Sequence, residues 1–303
     1  MKQGKLMKNV LSLFNGISGC HLALDKSGIE VGQVYYAEID KYANQITEKH
    51  YPNDIALGNV LNWREWNIDW SSIELVGAGF PCQAWSVAGK QLGDKDERGM
   101  LFWTTLDIIA NVLKHNPSAK FLMENVKMKK DFEQYITHHT EQALGRVEKT
   151  LINSALVSAQ NRQRYYWTNF EVTQPEDKGI LLKDIIEHEP DVKYAVNQNV
   201  LPKYTDENGN VKGFRDSDQK SKTLIASMHK GFGNDGCTVL KQDIHNGCDI
   251  SYRKLTPLEC ERLQTFPDNW TDCVSNTQRY KSLGNAWTVD VIVHIFKCMT
   301  GRK

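Results

Sequence analysis

Short apolar runs alternate with helix-periodic stretches along most of this chain, and that alternation predicts the fold. Val10-Leu-Ser-Leu-Phe14 has the length and apolarity of a buried strand, and Asn15-Gly-Ile-Ser-Gly19 reads as a tight turn. A helix is predicted from about Gly19 to Ser27, with Gly28 as its stop. Residues 34–37 form a second strand that ends in Glu38, and Asp40 caps a helix with Tyr42, Ala43 and Ile46 on its apolar face. The run 73–78 is a third strand, broken by Gly79-Phe-Pro-Cys-Gln83. A long helix opens near Arg98, carries Leu101, Leu106, Ile109, Val112 and Leu113, and ends at Asn116-Pro117. Phe121-Leu-Met-Glu-Asn-Val126 is a strand, residues 146–158 read as extended, and Tyr165, Tyr166 and Trp167 belong to a further strand. From residue 171 to 251 the pattern is lost in a polar, Gly- and Asn-rich stretch. Thr256, Pro257 and Glu259 then signal a capped helix, and Val291, Ile292, Ile295 and Phe296 line a last one. Strands interleaved with helices predict an α/β sheet protein interrupted by an irregular insertion.

Composition narrows the setting. At 303 residues the chain is long enough for one large domain or two, with a substantial core. Lys and Arg number 37, as do Asp and Glu, so a nucleic-acid partner would have to meet a local basic surface. Seven cysteines without a Cys-x-x-Cys pair argue against a disulfide framework and a zinc site, and point to a reducing compartment. No apolar run reaches the ~18 residues of a membrane span, and the first residues lack a signal peptide's apolar core. A soluble intracellular protein is expected, with no metal. Trp63, Trp66 and Trp70 are read as packing residues rather than a binding stripe.

Candidate chemistry gathers at predicted strand ends. Cys82 follows the third strand at its carboxyl end, where open α/β sheets hold ligands. Pro81 stiffens the backbone before it, and the flanking glycines allow a flat substrate to approach closely. A lone cysteine is more often a buried structural residue. A thiol in this place is also a strong nucleophile for an electron-poor carbon. Gly16-x-x-Gly19 after a strand, with Glu38 about 20 residues on, fits a nucleotide-binding unit whose acid meets a ribose hydroxyl. Glu124 ends a buried strand and needs a partner, because unpaired burial of a carboxylate costs several kcal/mol.

These strings together resemble the cytosine carbon-5 DNA methyltransferase family. The match comprises Phe14-x-Gly-x-x-Gly19, Gly79-Phe-Pro-Cys-Gln83 with Trp85-Ser-x-Ala-Gly89, Arg98-Gly-x-Leu-Phe102, Glu124-Asn-Val126, Gln160-x-Arg162-x-Arg164, the stretch from Arg253 to Pro267, and Ser282-Leu-Gly-Asn-Ala-Trp-Thr-Val289. The resemblance spans Leu11 to Phe296 except for the insertion. It implies a Rossmann-like S-adenosylmethionine-dependent methyltransferase sheet with a small inserted target-recognition domain. By the same resemblance Cys82 is the nucleophile, Glu124 grips the target cytosine, and Arg162 and Arg164 order the active site and contact base and backbone. Phe14, Gly16, Ile17, Ser18, Gly19, Glu38, Ile39, Asn59, Val60, Pro81, Leu101, Asn285, Ala286 and Trp287 are implied to line the S-adenosylmethionine pocket. Asn59 departs from the family's usual acid; its carbonyl can still accept a hydrogen bond, without charge. Trp287 and Arg164-Tyr-Tyr-Trp167 are similar to the de novo methyltransferase branch.

The expected domains are a catalytic and cofactor-binding part, residues 1–170 plus 276–303, and a target-recognition part, residues 171–275. The latter carries Lys212, Arg215, Lys220, Lys222, Lys230 and Lys241, with Thr223-Leu-Ile-Ala and His229-Lys-Gly-Phe-Gly as candidate contact loops. Expected partners are double-stranded DNA and a cognate restriction endonuclease, in a bacterial or phage-encoded cytoplasmic setting. The alternative within the family is a transfer-RNA cytosine methyltransferase, and a catalytically dead regulator is disfavoured by intact Cys82 and Glu124.

Overall fold

The structure, a computed structural model, describes residues 7–81, 100–197, 199–230, 237–243 and 250–301. Backbone packing divides the chain into two units, residues 1–152, 163–175 and 291–303 in the first and residues 153–162 and 176–290 in the second.

Among the described residues the first unit is built on seven strands: β1 (Met7–Leu13), β2 (Val31–Ala37), β3 (Ile55–Ala56), β4 (Ile73–Gly79), β5 (Lys120–Val126), β6 (Glu148–Asn153) and β7 (Gln163–Thr168). Their order in the sheet is β3-β2-β1-β4-β5-β7-β6. β3, β2, β1, β4 and β5 pair in parallel, and β7 runs antiparallel to β5. β1, β4 and β5 are buried along most of their length, which is why they read as continuous apolar runs instead of alternating ones. β1 lies between β2 and β4, so the strand order reverses there. In open α/β sheets that switch point opens the ligand crevice beyond the carboxyl ends of the strands.

The helices follow the sequence signals. Helix α1 (Gly19–Lys26) stops at Gly28, whose φ of 66° only glycine adopts freely, and Ile29 N closes back on Leu24 O at 3.1 Å. Helix α2 (Lys41–His50) is capped by Asp40, which accepts from the amides of Tyr42 and Ala43. Helix α3 (Met100–His115) buries Phe102, Leu106, Ile109 and Val112 in the main core, each such side chain stabilising the fold by about 1.5–3 kcal/mol. Trp63 is buried in that same core, with Trp66 and Trp70 packed against it. Helix α4 (Lys130–Leu144) arises from a polar segment and buries only Glu133, Ile136 and Thr140. The expected extended stretch 146–158 is strand only to Asn153 and then turns through 3-10 geometry at Ser154–Leu156.

The second unit is mostly short 3-10 turns around an antiparallel pair, β8 (Val239–Asp243) and β9 (Ile250–Lys254), with helices α5 (Pro257–Leu263) and α6 (Asn276–Asn285). Val196, Val211, Cys237 and Val239 form a small core of their own. Thr256 and Glu259 make the predicted capping box at α5. Glu259 also takes the guanidinium fork of Arg253 at 2.7 and 2.8 Å in a buried pair. Residues 276–290 pack in this unit, whereas the sequence-based boundaries place them with the sheet. The cause is visible at Gly284, where a Cβ would come within 2.3–2.5 Å of the backbone of Ile225 and Ala226. Only glycine allows α6 to lie so close to that strap. The last helix, α7 (Val289–Thr300), belongs to the first unit from Val291 onward, where Ser27 Oγ reaches Val293 O at 3.5 Å. Among the described residues no helix is long and apolar enough to cross a membrane.

Candidate active site

The turn after β1 is shaped by three residues in the left-handed region, Phe14 (φ 54°), Gly16 (φ 57°) and Ser18 (φ 64°). Buried hydroxyls hold it. Ser12 donates to Asn15 Oδ1, and Asn15 Nδ2 donates to Ser18 Oγ and Thr47 Oγ1. Ile17, Ser18 and Gly19 are buried, which leaves Phe14 and Gly16 as the half-exposed members of the turn. Glu38, just past β2, binds this turn directly. Its Oε2 accepts Gly16 N at 2.9 Å, and its Oε1 accepts Ile39 N and Asp40 N at 2.8 Å each. Beside it Ile39 is 75% exposed, an apolar side chain left uncovered at the rim. Asn59 is exposed after β3, and its Oδ1 caps the next turn by accepting Leu61 N at 3.0 Å, while Val60 is buried. Leu101, in the first turn of α3, is half-buried against the main core.

The carboxyl ends of β4 and β5 carry the second group. Phe80 is buried and Pro81 half-buried at the exit of β4; Cys82 lies outside the described residues. Asn125 Nδ2 donates to Phe80 O at 3.1 Å, so the middle residue of Glu-Asn-Val ties the start of the cysteine loop to β5. Sequence reading passed over Asn125; a buried amide flanked by two motif residues was the available signal. Glu124 is 9% exposed, and Arg164 Nε stands 3.0 Å from its Oε1. Antiparallel pairing makes this contact, because Val126 registers with Arg164 and brings the start of β7 to the end of β5. A buried carboxylate thus meets a planar, permanently charged partner.

Arg162 takes a different place. It belongs to the second unit, is 3% exposed, and donates to the carbonyls of Leu224 (2.8 Å), Ala286 (2.9 Å) and Gly284 (3.3 Å). Gln160 joins it by accepting Leu224 N, and Gln264 donates to Leu283 O and Ala286 O. The two arginines of one motif therefore divide between the carboxylate and a backbone knot. Leu224 is buried in that knot and anchors Thr223-Leu-Ile-Ala, whose other three residues are half-buried. Asn285, Ala286 and Trp287 lie in the second unit beside the knot, with Asn285 exposed. Elsewhere, burial pushes the thiol of Cys20 up to about 12 and raises those of Cys237 and Cys260, so these three are packing residues.

The model of the C-5 cytosine-specific DNA methylase family matches residues 8–301. The chain belongs to that family. It is 31% identical to the type II methyltransferase M.NlaX of Neisseria lactamica, over 94% of each chain. It is 29% identical to M.HhaI of Haemophilus parahaemolyticus, over 94% of this chain and 92% of the relative. Its fold is like that of a mutant DNMT2 from Spodoptera frugiperda, with a TM-score of 0.71 at 21% identity over 97% and 99% of the two chains. Family membership makes the chain a DNA (cytosine-5-)-methyltransferase that uses S-adenosylmethionine.

The rim of the first unit fits that cofactor. Among the described residues, and apart from its own chain neighbours, nothing lies within 4 Å of where a Cβ on Gly16 would be. A carboxylate has about four acceptor positions, and three backbone amides at Glu38 leave one for a ribose hydroxyl. Exposed Ile39 suits the flat face of an adenine.

Proposed function

We propose that this methyltransferase flips a cytosine out of duplex DNA and methylates it at one short sequence, with Cys82 as nucleophile and Glu124 as the group that grips the base. The observation that carries the reading is the Glu124–Arg164 pair at the carboxyl end of β5, a carboxylate held in place where the sheet receives ligands. The target must leave the stack, since a side chain cannot reach carbon-6 inside a duplex. Cys82 adds to carbon-6 of the cytosine, and the ring's electron pair moves toward carbon-5. One oxygen of Glu124 accepts from the exocyclic amine, and a proton held between its other oxygen and ring nitrogen 3 draws electrons from the ring. Arg164 holds Glu124 in that orientation, and Asn125 holds the entry to the cysteine loop beside it. The bound cofactor supplies an electrophilic methyl group. Loss of the carbon-5 proton then expels the Cys82 thiolate. Glu38, the open turn at Gly16, Phe14, Ile39 and Asn59 hold the cofactor, with Pro81 and Leu101 at its border.

Arg162 acts as a positioning residue in this scheme, because its donors are spent on carbonyls of the second unit. In function, residues 171–275 read the target and residues 1–170 with 276–303 serve catalysis, although 276–290 pack within the second unit. The relatives' names support a place in a bacterial or phage restriction–modification system, paired with a cognate endonuclease and working in the cytoplasm where the DNA is. The test offers 5-fluorocytosine, in duplex DNA and in transfer RNA, to the parent and to Cys82→Ala in the presence of cofactor. Fluorine blocks the final proton loss, so the parent stays joined to duplex DNA on a denaturing gel and the alanine variant does not. A shifted band with RNA alone, or with the alanine variant, overturns the reading.

A further inference from the structure

The edge that carries Glu124 also carries cations that none of the roles above uses. Beyond β5 the chain reads Lys127-Met-Lys-Lys130, and all three lysines are exposed while Met128 is buried in the main core. Met128 therefore pins the connection to the sheet and leaves a cation on either side of the anchor. Lys127 Nζ donates to Gln163 Oε1 at 2.9 Å, which ties it to the residue before Arg164. Among the described residues no carboxylate partner stands against Lys127, Lys129 or Lys130, whereas Lys149 is paired with Glu133. Lys129 is also the N-cap of α4, a helix of 15 residues, and makes no side-chain cap bond. Unsatisfied amides at a helix start attract anions, and here they add to three cations. Asp131, exposed in the first turn, offsets one charge; Glu133 is buried and neutralised. At about 3.3 Å per extended residue, Lys127 lies within about 10 Å of Glu124 along the chain. A cytosine gripped by Glu124 brings its own flanking phosphates to that distance.

We propose that Lys127, Lys129 and Lys130, with the amino end of α4, form a phosphate clamp on the DNA strand that carries the target cytosine. The clamp rests on the reading of Glu124 as the base-gripping group. It places part of the DNA electrostatics in the sheet unit, outside the inserted recognition segment, so it serves every sequence alike.

The test measures binding of a fluorescent duplex of mixed sequence against potassium chloride concentration, with S-adenosylhomocysteine present. Each lost phosphate contact lowers the slope of log K against log salt by about 0.9, so K127Q/K129Q/K130Q should lower it by about 2–3. Replacing the same three with arginine should restore the parent slope, which a merely structural role would not do. K114Q/K120Q, at the opposite end of β5, should leave it unchanged. Unchanged affinity for S-adenosylhomocysteine confirms that the triple variant is folded. A parent slope retained by the folded glutamine variant overturns the clamp alone. A parent that binds no duplex overturns the DNA reading and the clamp with it. A slope lost only on a stem–loop RNA overturns the assignment to DNA.

Discussion

At the scale of single residues, the division of labour between Arg162 and Arg164 is the main result. They are two positions apart, yet one meets a carboxylate at 3.0 Å and the other holds three carbonyls in a different unit. Strand alternation would put residues i and i+2 on one face; these two part because Arg162 precedes β7, in the irregular stretch, and only Arg164 lies within the strand. The Arg164→Ala variant should keep its affinity for S-adenosylhomocysteine and lose at least tenfold in single-turnover methyl transfer, about 1.4 kcal/mol of barrier. Arg164→Lys should recover part of the rate, because the charge returns without the planar fork. Equal rates for the parent and the alanine variant would remove Arg164 from the active site.

At the scale of elements, the tightest constraint is α6 against the strap at Ile225 and Ala226. Gly284 sits within the last turn of a helix, where glycine costs about 1 kcal/mol relative to alanine. That cost is accepted because a Cβ would come as near as 2.3 Å to Ile225 C. Propensity alone predicts that Gly284→Ala stabilises the protein. The close approach predicts the reverse, a loss of about 1–3 kcal/mol or more from overpacking. Thermal melting decides between them, and a raised midpoint would show that α6 and the strap can separate freely. The capping box of Thr256 and Glu259 shows the opposite case, in which local sequence chemistry and tertiary packing agree.

At the scale of the whole molecule, both units bury acids that favour the protonated form. Burial raises Cys20 to about 12 from an ordinary 9.0, and burial likewise raises Tyr51, Cys237, Cys260 and Tyr280. For a group whose folded pKa lies above its unfolded one, the stability it contributes is complete below the unfolded value. It is lost as pH rises through the folded value. Urea midpoints should therefore fall between about pH 9 and 12, and Cys20→Ala should flatten part of that fall; a midpoint constant to pH 11 contradicts the burial. The division of the chain gives a second prediction at this scale. Replacing residues 176–252 by the matching segment of a relative should move the methylated sequence, read by bisulfite sequencing, while trapping through Cys82 persists. An unchanged target sequence would place recognition elsewhere.

The α/β class, the strands around each motif, the caps at Asp40 and Thr256 and the stop at Gly28 were legible in the sequence alone. Each depends on local chemistry: apolar runs, a side chain that satisfies nearby amides, a glycine that adopts positive φ. The motif strings also identified the family. Tertiary structure alone decided what those strings touch. Glu124 meets Arg164 because β7 enters the sheet antiparallel, a register no local signal encodes. Arg162 is spent on Leu224, Gly284 and Ala286, which lie 62 to 124 residues away. The segment 276–290 joins the second unit because one missing Cβ admits a backbone, and α4 forms from a polar segment because the sheet covers its narrow buried stripe. Contacts between distant segments depend on which surfaces the assembled sheet leaves free, and that is a property of the packed chain, not of any stretch of it.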